Sequence, residues 1–369
     1  MNLKKNMAIA FTTLFVFPGM IFAHPTIPEA IEKTIQKLDE NLGQSYGAAA
    51  AILYQGKVVY SKTFGVEYEG GPAITADTYF ALGSSSKPIA ALVVSDLVKK
   101  GNLSFEGSVE RAIPQIAKGI QLQHILSHTT GYAYKGNSDI EKGMKRPEIL
   151  TKLLKSEVKS SPGKTFLYSN AAYSLLENVV EKALGKPWPI AFHEGLSKRG
   201  LDHIAIVAPP QNAPMAHPHL FDKKTKSLSD LGRIPKNYPE AVSSSAGVYA
   251  SLNDLIAFTK LQLLQEFDHL HEPRTLAPDV FSWGMKFPRP ESQIKSSYAL
   301  GWRVFELKND KTHASRLVFH GGYINGVSAF IGLIKKHDLA IVVVTNDDQF
   351  IAQRMGQFLW SEVIDSTMK

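Results

Sequence analysis

Ser84 and Lys87 stand three residues apart in the run Ala81-Leu82-Gly83-Ser84-Ser85-Ser86-Lys87-Pro88, and such a pair can build a nucleophile. A serine hydroxyl does little at neutral pH by itself and needs a base within hydrogen-bond reach. On a helix, positions i and i+3 share a face, so the Lys87 amine would lie one turn above the Ser84 hydroxyl. The same spacing recurs at Ser156/Lys159, Ser161/Lys164, Ser292/Lys295 and Ser366/Lys369, so context must select among them. A β-rich stretch, 75–82, leads into Ser84, and Ile89, Leu92, Val93 and Leu97 follow at helical spacing up to Lys99-Lys100-Gly101. Pro88 is tolerated only in a first helical turn, which predicts a helix starting near Ser84. Free backbone N–H groups and the helix dipole there favour negative charge at Oγ. The competing reading is a plain N-cap serine with a solvated lysine.

Two further groups could join this pair. Tyr168 and Asn170, two apart where the loop from Pro162 and Gly163 meets a helix, can point into one cleft and offer a proton carrier and an amide. His320-Gly321-Gly322 follows an apolar strand, 316–319, and paired glycines would let a substrate backbone lie against the strand edge. Tyr-x-Asn also recurs at Tyr323-Ile324-Asn325, and Gly-Gly also marks turns and bulges.

The elements that must position these groups read as follows. An amphipathic helix is expected over 26–42, with Pro28 in its first turn, and a β-hairpin over 47–53 and 57–64 around Gln55-Gly56. Helices are expected at 109–116, 122–126, 148–158 and 171–184, and again at 253–264 with Ser251 as cap. Strands return at 298–306, 316–319, 326–334 and 339–345, with Lys335-Lys336-His337-Asp338 as a turn, and a helix over 350–364 closes the chain. The stretch 209–239 reads as a long loop. The expected fold is therefore α+β: an antiparallel sheet flanked by helices, built from 24–101 and 240–369, with a mainly helical insertion over 102–239. Tyr249, Trp302 and Trp360 are expected in the core, and His128 as a buried hydrogen-bonding element of its turn.

Composition narrows the setting. The chain has 369 residues, 44% hydrophobic and 20% charged, as a soluble globular protein does. Residues 1–23 read as a secretory signal peptide: Lys4 and Lys5, an apolar stretch over 7–17, and cleavage after Ala23. No later segment is long enough to span a bilayer, so no membrane span is expected once the signal is removed. With no cysteine, an exported chain relies on its core rather than on disulfides, and thiolate metal sites are excluded. A net charge of +7 without a long basic run carries no nucleic-acid signature. His217 with His219, and His269 with His271, lack a third ligand at a diagnostic spacing, so no metal and no cofactor is expected. The expected location is a bacterial periplasm or the medium.

Taken together, Gly83-Ser84-Ser85-Ser86-Lys87-Pro88, Ile125-Leu126-Ser127-His128-Thr129-Thr130-Gly131, the Tyr168 segment 162–176, Ser245-Ala246-Gly247-Val248-Tyr249-Ala250-Ser251, Leu300-Gly301-Trp302 and Phe319-His320-Gly321-Gly322 occur in one order over about 26–365. In this the sequence resembles the serine β-lactamase and penicillin-binding-protein superfamily, in the branch of class C β-lactamases, D-alanyl-D-alanine carboxypeptidases, D-aminopeptidases and related esterases. The resemblance implies a β-lactamase/transpeptidase-like fold. It makes Ser84 the acylated nucleophile, Lys87 and Tyr168 the acid/base pair, and Asn170 the group that orients substrate and Lys87. The backbone N–H groups of Ser84 and Tyr323 would form the oxyanion hole, with His320, Gly321 and Gly322 beside the substrate. One of the two bases must then lie far below its ordinary pKa, since lysine and tyrosine are both protonated at neutral pH.

Many β-lactamases of the branch carry Lys-Thr-Gly where this chain has His320-Gly321-Gly322, so a cation and a hydroxyl for a substrate carboxylate are missing; His320 would supply a pH-dependent charge instead. The reading is thus an exported serine hydrolase acting through an acyl-enzyme at Ser84 on small amides or esters such as D-amino-acid peptides. A β-lactamase is the alternative chemistry, and a catalytically silent cell-wall peptide-binding protein the alternative class. The expected partners are a small-molecule or peptide substrate, peptidoglycan among them.

Overall fold

The computed structural model describes residues 26–367 apart from 223, 226, 236 and 284–288. The expected signal peptide, 1–23, lies outside the described residues. Helix α1 is Ile27–Leu42; Thr26 caps it through its hydroxyl while Glu29 reaches back to the Thr26 N–H. Strands β1 (Gly47–Tyr54) and β2 (Lys57–Gly65) form the hairpin. A turn of 3-10 helix, Gly83–Ser85, then runs into α2, Ser86–Lys99. The middle of the chain supplies short helices, among them α3 (Asn170–Tyr173), α4 (Leu175–Leu184), α5 (Ser243–Ala246) and α6 (Leu252–Leu263). Strands β3 (Thr275–Leu276), β4 (Ile294–Tyr298), β5 (Arg303–Leu307), β6 (Leu317–Ile324), β7 (Val327–Ile334) and β8 (Leu339–Thr345) follow, and α7 (Ile351–Thr367) comes last.

The eight strands make one antiparallel sheet in the order β2-β1-β8-β7-β6-β5-β4-β3. Both faces of its centre are covered, which explains why β1 reads as an unbroken apolar run. Ala48, Ala50 and Ile52 pack with α1 and α7, while Ala49, Ala51 and Leu53 pack into the larger core around α2 and α6. The α+β fold expected from the sequence, a sheet flanked by helices, is the one observed. Among the described residues no helix is long and apolar enough to cross a membrane.

Several boundaries differ from the sequence reading. No helix forms over 109–116; the segment makes separate turns, with Ala112 and Ile116 bonding back three residues to Val109 and Ile113, because Pro114 cannot sit inside a helix. The helix expected at 148–158 is Arg146–Leu154, stopped where the Ser156 hydroxyl donates to the Leu153 carbonyl. The helix expected at 171–184 breaks at Ser174 into α3 and α4. The single strand expected at 298–306 is β4 and β5 joined at Leu300-Gly301, where Gly301 takes a left-handed φ of +81°. Within 209–239 the chain pairs His219–Asp222 with Ser227–Asp230 as a small hairpin. Finally, His320-Gly321-Gly322 lies inside β6 rather than beyond its end.

Candidate active site

The turn that carries Ser84 is fastened from several sides. Ser86 Oγ donates to the Gly83 carbonyl at 2.6 Å and accepts from the Val248 N–H at 3.0 Å, and the Leu82 N–H donates to the Val248 carbonyl at 3.0 Å. Gly83 has φ +50°, and a Cβ there would come within 2.9 Å of the Tyr323 backbone nitrogen. A Cβ on Gly322 would lie 1.8 Å from the Leu82 carbonyl oxygen. These glycines therefore let β6 press directly against the turn that carries Ser84, which brings the Tyr323 backbone beside it. That use differs from the sequence expectation, in which the glycines made room for substrate; only Gly321, against Gln353, is spared such a contact.

Lys87 is fully buried, and its Nζ has three oxygen neighbours: Asn170 Oδ1 at 2.7 Å, the Ser245 carbonyl at 3.0 Å and Ser84 Oγ at 3.2 Å. Asn170 begins α3, and its own Nδ2 donates to Asn137 Oδ1 at 3.0 Å, which fixes which way its amide faces. Two of the three neighbours of Nζ can only accept. A neutral amine has two hydrogens for those two and one lone pair left for the Ser84 hydroxyl proton. Electrostatics point the same way: burial, reinforced by the positive Arg303 guanidinium, holds the Lys87 pKa well below the ordinary lysine value.

Tyr168 donates its hydroxyl to Ser84 Oγ at 2.9 Å. Burial pushes its pKa up to about 12, while the hydrogen bond to Ser84 and the nearby Arg303 work in the opposite direction. The pair therefore divides into a lysine poised to take a proton and a tyrosine poised to give one. Tyr168 is held from below by His128, whose ring centroid lies 4.2 Å away and whose Nδ1 accepts from the Ser169 N–H at 3.3 Å. His128 is buried and its pKa depressed, first by burial and then by Lys87 and Arg303.

Ser84, Tyr168, Asn170, Gly321, Gly322 and Tyr323 all line one cleft of about 1090 Å³. His320 does not. Its side chain is 1% exposed, with Nδ1 at 2.8 Å from the Gly321 carbonyl and Nε2 at 3.0 Å from the Tyr298 hydroxyl. The carbonyl requires a hydrogen on Nδ1, so Nε2 accepts from Tyr298 and the ring is neutral; burial, with Lys87 and Arg303 nearby, drives its pKa well down. The expectation that His320 contacts substrate or offers it a titrating charge is thus corrected: burial first, and the nearby Arg303 guanidinium with it, disfavour a charge on the ring, and the ring is core. The other singled-out histidines also have local partners: His217 on Asp230 at 2.9 Å, His269 on Ser95 at 2.8 Å, His271 on Gln262 at 3.1 Å, and His219 on the Asn346 carbonyl at 3.2 Å.

The beta-lactamase family model matches residues 31–360. The chain belongs to the beta-lactamase family. It is 32% identical to Penicillin-binding protein 4* of Bacillus subtilis (strain 168) over 337 residues, covering 86% of this chain and 72% of the relative. It is also 32% identical to Esterase EstB of Burkholderia gladioli over 164 residues, covering 38% of this chain and 42% of that one. The octameric penicillin-binding protein homologue from Pyrococcus abyssi superposes with a TM-score of 0.72 at 20% identity, over 90% of this chain and 76% of that one, which shows the fold. The family is a serine-hydrolase superfamily of the penicillin-binding-protein and esterase type.

Some residues of this family site escape the sequence reading. Arg303 is fully buried, pairs with Asp279 at 3.0 Å, and lies 5.4 Å from the Tyr168 ring centroid. An arginine in the apolar run Trp302-Arg303-Val304-Phe305 was the available signal. Gln353 of α7 donates to the Gly322 carbonyl at 2.8 Å and accepts from Ser328 Oγ at 2.6 Å, clamping β6 to β7; nothing local in the sequence marks it.

Proposed function

We propose that the chain is a serine hydrolase that forms an acyl-enzyme at Ser84 from small amide or ester substrates. The observation that carries this reading is that fully buried Lys87 Nζ, at 3.2 Å, and the Tyr168 hydroxyl, at 2.9 Å, both reach Ser84 Oγ. Ser84 Oγ attacks the carbonyl carbon as its proton passes to Lys87 Nζ. The backbone N–H groups of Ser84 and Tyr323 receive the developing oxyanion, each such donor contributing roughly 3 kcal/mol. Tyr168 gives its hydroxyl proton to the departing nitrogen or oxygen and regains one from Lys87. Water then attacks the acyl carbon, loses a proton to the same pair, and releases the acid with Ser84 restored.

The names of the relatives, a penicillin-binding protein and an esterase, support D-amino-acid peptides and simple esters as the substrate class. β-Lactam turnover is disfavoured by the neutral, buried His320 on β6, which leaves that strand position without a cation for a carboxylate. Export to the periplasm or the medium belongs to the same proposal and rests on the sequence of 1–23. A peptidoglycan-derived peptide would be the natural partner in that compartment.

The test is turnover of p-nitrophenyl acetate, nitrocefin and a D-alanyl-D-alanine peptide, with intact mass, in wild type and Ser84→Ala. Turnover and a mass adduct that both vanish in Ser84→Ala are expected, with the ester or the peptide ahead of nitrocefin. Neither turnover nor adduct with any of the three would favour a silent binding protein.

A further inference from the structure

Tyr323 and Phe350 stack face to face beside the nucleophile, with ring centroids 4.5 Å apart and planes 12° from parallel. Both line the cleft that holds Ser84. Large aromatic rings are ordinarily buried, yet these two are 39% and 45% exposed. Phe350 also takes a φ of +58°, a left-handed conformation that is a genuine outlier for a bulky residue. Such strain persists where the surroundings enforce it and concentrates at ligand-binding sites. Tyr323 is the first residue with a side chain past Gly321 and Gly322 on β6, so its ring follows directly on the backbone nitrogen that adjoins Gly83. β6 itself brings no charged side chain to this stretch of the cleft, since His320 is buried beneath it, while Lys37, Glu141 and Arg354 line the cleft from other elements.

We propose that the Tyr323–Phe350 stack is a subsite for an aryl group next to the reacting carbonyl, making the chain selective for aryl-bearing esters and amides over saturated ones. The inference rests on Ser84 as the nucleophile and adds the substrate class to it. A planar ring laid on the exposed face of the stack gains ring–ring contact that a saturated ring of similar size does not, an effect of roughly two- to tenfold in selectivity.

The experiment compares kcat/KM for benzyl acetate against cyclohexylmethyl acetate, and ethyl phenylacetate against ethyl cyclohexylacetate, in wild type, Phe350→Ala and Phe350→Leu. Wild type should favour the aryl member of at least one pair by roughly two- to tenfold. That ratio should fall toward one in Phe350→Ala and also in Phe350→Leu, which keeps apolar bulk without a ring. Equal ratios in all three proteins would overturn the proposal. Saturation-transfer NMR of benzyl acetate on Ser84→Ala, with and without Phe350→Ala, separates this inference from the hydrolase reading. If wild type hydrolyses none of these esters and none of the three substrates named above, the hydrolase reading fails; in either case Phe350-dependent binding would uphold the aryl subsite, and Phe350-independent or absent binding would end it.

Discussion

One oxygen of Glu177 accepts both the backbone N–H of Ser244, at 2.8 Å, and its hydroxyl, at 2.9 Å. The Ser243 hydroxyl adds a third bond at 3.0 Å, and Arg146 Nε lies 3.1 Å from the other carboxylate oxygen. Glu177 sits on α4, directly after α3 with Asn170; Ser244 precedes Ser245, whose carbonyl receives Lys87. A single buried carboxylate thus ties together the two segments that supply both acceptors of the Lys87 amine.

Glu177→Ala should therefore do more than destabilise. Removing one partner of a buried, hydrogen-bonded ion pair costs about 3 kcal/mol, read by urea unfolding. Loosened acceptors would also admit water to Lys87 and raise its pKa, moving the acid limb of kcat/KM to higher pH. Glu177→Gln keeps an acceptor oxygen and should shift the limb less. A stability loss with an unmoved limb would leave Glu177 a purely structural role.

The unequal pKa values of Lys87 and Tyr168 define the pH profile. Lys87 is held well below the usual lysine value and Tyr168 is pushed up to about 12. kcat/KM should rise with pH through one ionisation well below 10.5 and then stay level to about pH 10. Lys87→Ala should lower the acylation rate by roughly two to four orders of magnitude and abolish that limb. A wild-type limb at the ordinary lysine value would show that burial does not depress Lys87, and a limb that survives in Lys87→Ala would move the base role away from it.

The same depressed pKa links to stability with a definite sign. Unfolded Lys87 binds a proton more tightly than folded Lys87, so between the two pKa values the unfolded state holds more protons and stability rises with pH. The penalty of burying this lysine is full below its folded pKa and vanishes above about 10.5. Relative to Lys87→Met, wild type should gain stability as pH is raised from neutrality to 10, measured by paired thermal melts. A pH-independent difference would show that Lys87 keeps its ordinary pKa on folding.

Gly322 tests how closely β6 must approach Ser84. A Cβ there would overlap the Leu82 carbonyl oxygen at 1.8 Å, and neither group is a flexible side-chain end. Gly322→Ala should cost about 1–3 kcal/mol and lower kcat by roughly a hundredfold by displacing the Tyr323 N–H. The effect on kcat should exceed that on KM. Wild-type kcat in a folded Gly322→Ala protein would remove Tyr323 from the oxyanion site.

Much of this site is legible in the sequence because its chemistry is local. Ser84 and Lys87 lie a helical turn apart, Pro88 marks where that helix starts, α1 follows its periodicity, and β1, β7 and β8 stand out as apolar runs. Legibility fails where one residue overrides a pattern, as at Pro114, Ser174 and Gly301. It fails again where the deciding contact is remote. His320 reads as a substrate residue because its position on β6 is visible, whereas the packing that buries it, the Arg303 guanidinium and the hydroxyl of Tyr298, which keep it neutral and covered, come from elsewhere. Gln353 and Glu177 likewise act across distances that no local motif spans.

The register that pairs Ala48 with Thr345 has a kinetic consequence. β1 lies inside the sheet between β2 and β8, so one side of it has no partner until β8, near the end of the chain, has been made. At about 5–20 residues per second, roughly 300 residues of waiting amounts to about 15–60 seconds in which Gly47–Tyr54 offers an open, apolar strand edge. Loop closure over such a separation comes late in folding. Production of this protein should therefore depend on whatever shields nascent strands from one another, and variants that slow α7 or β8 should aggregate during synthesis before any loss of equilibrium stability is measurable.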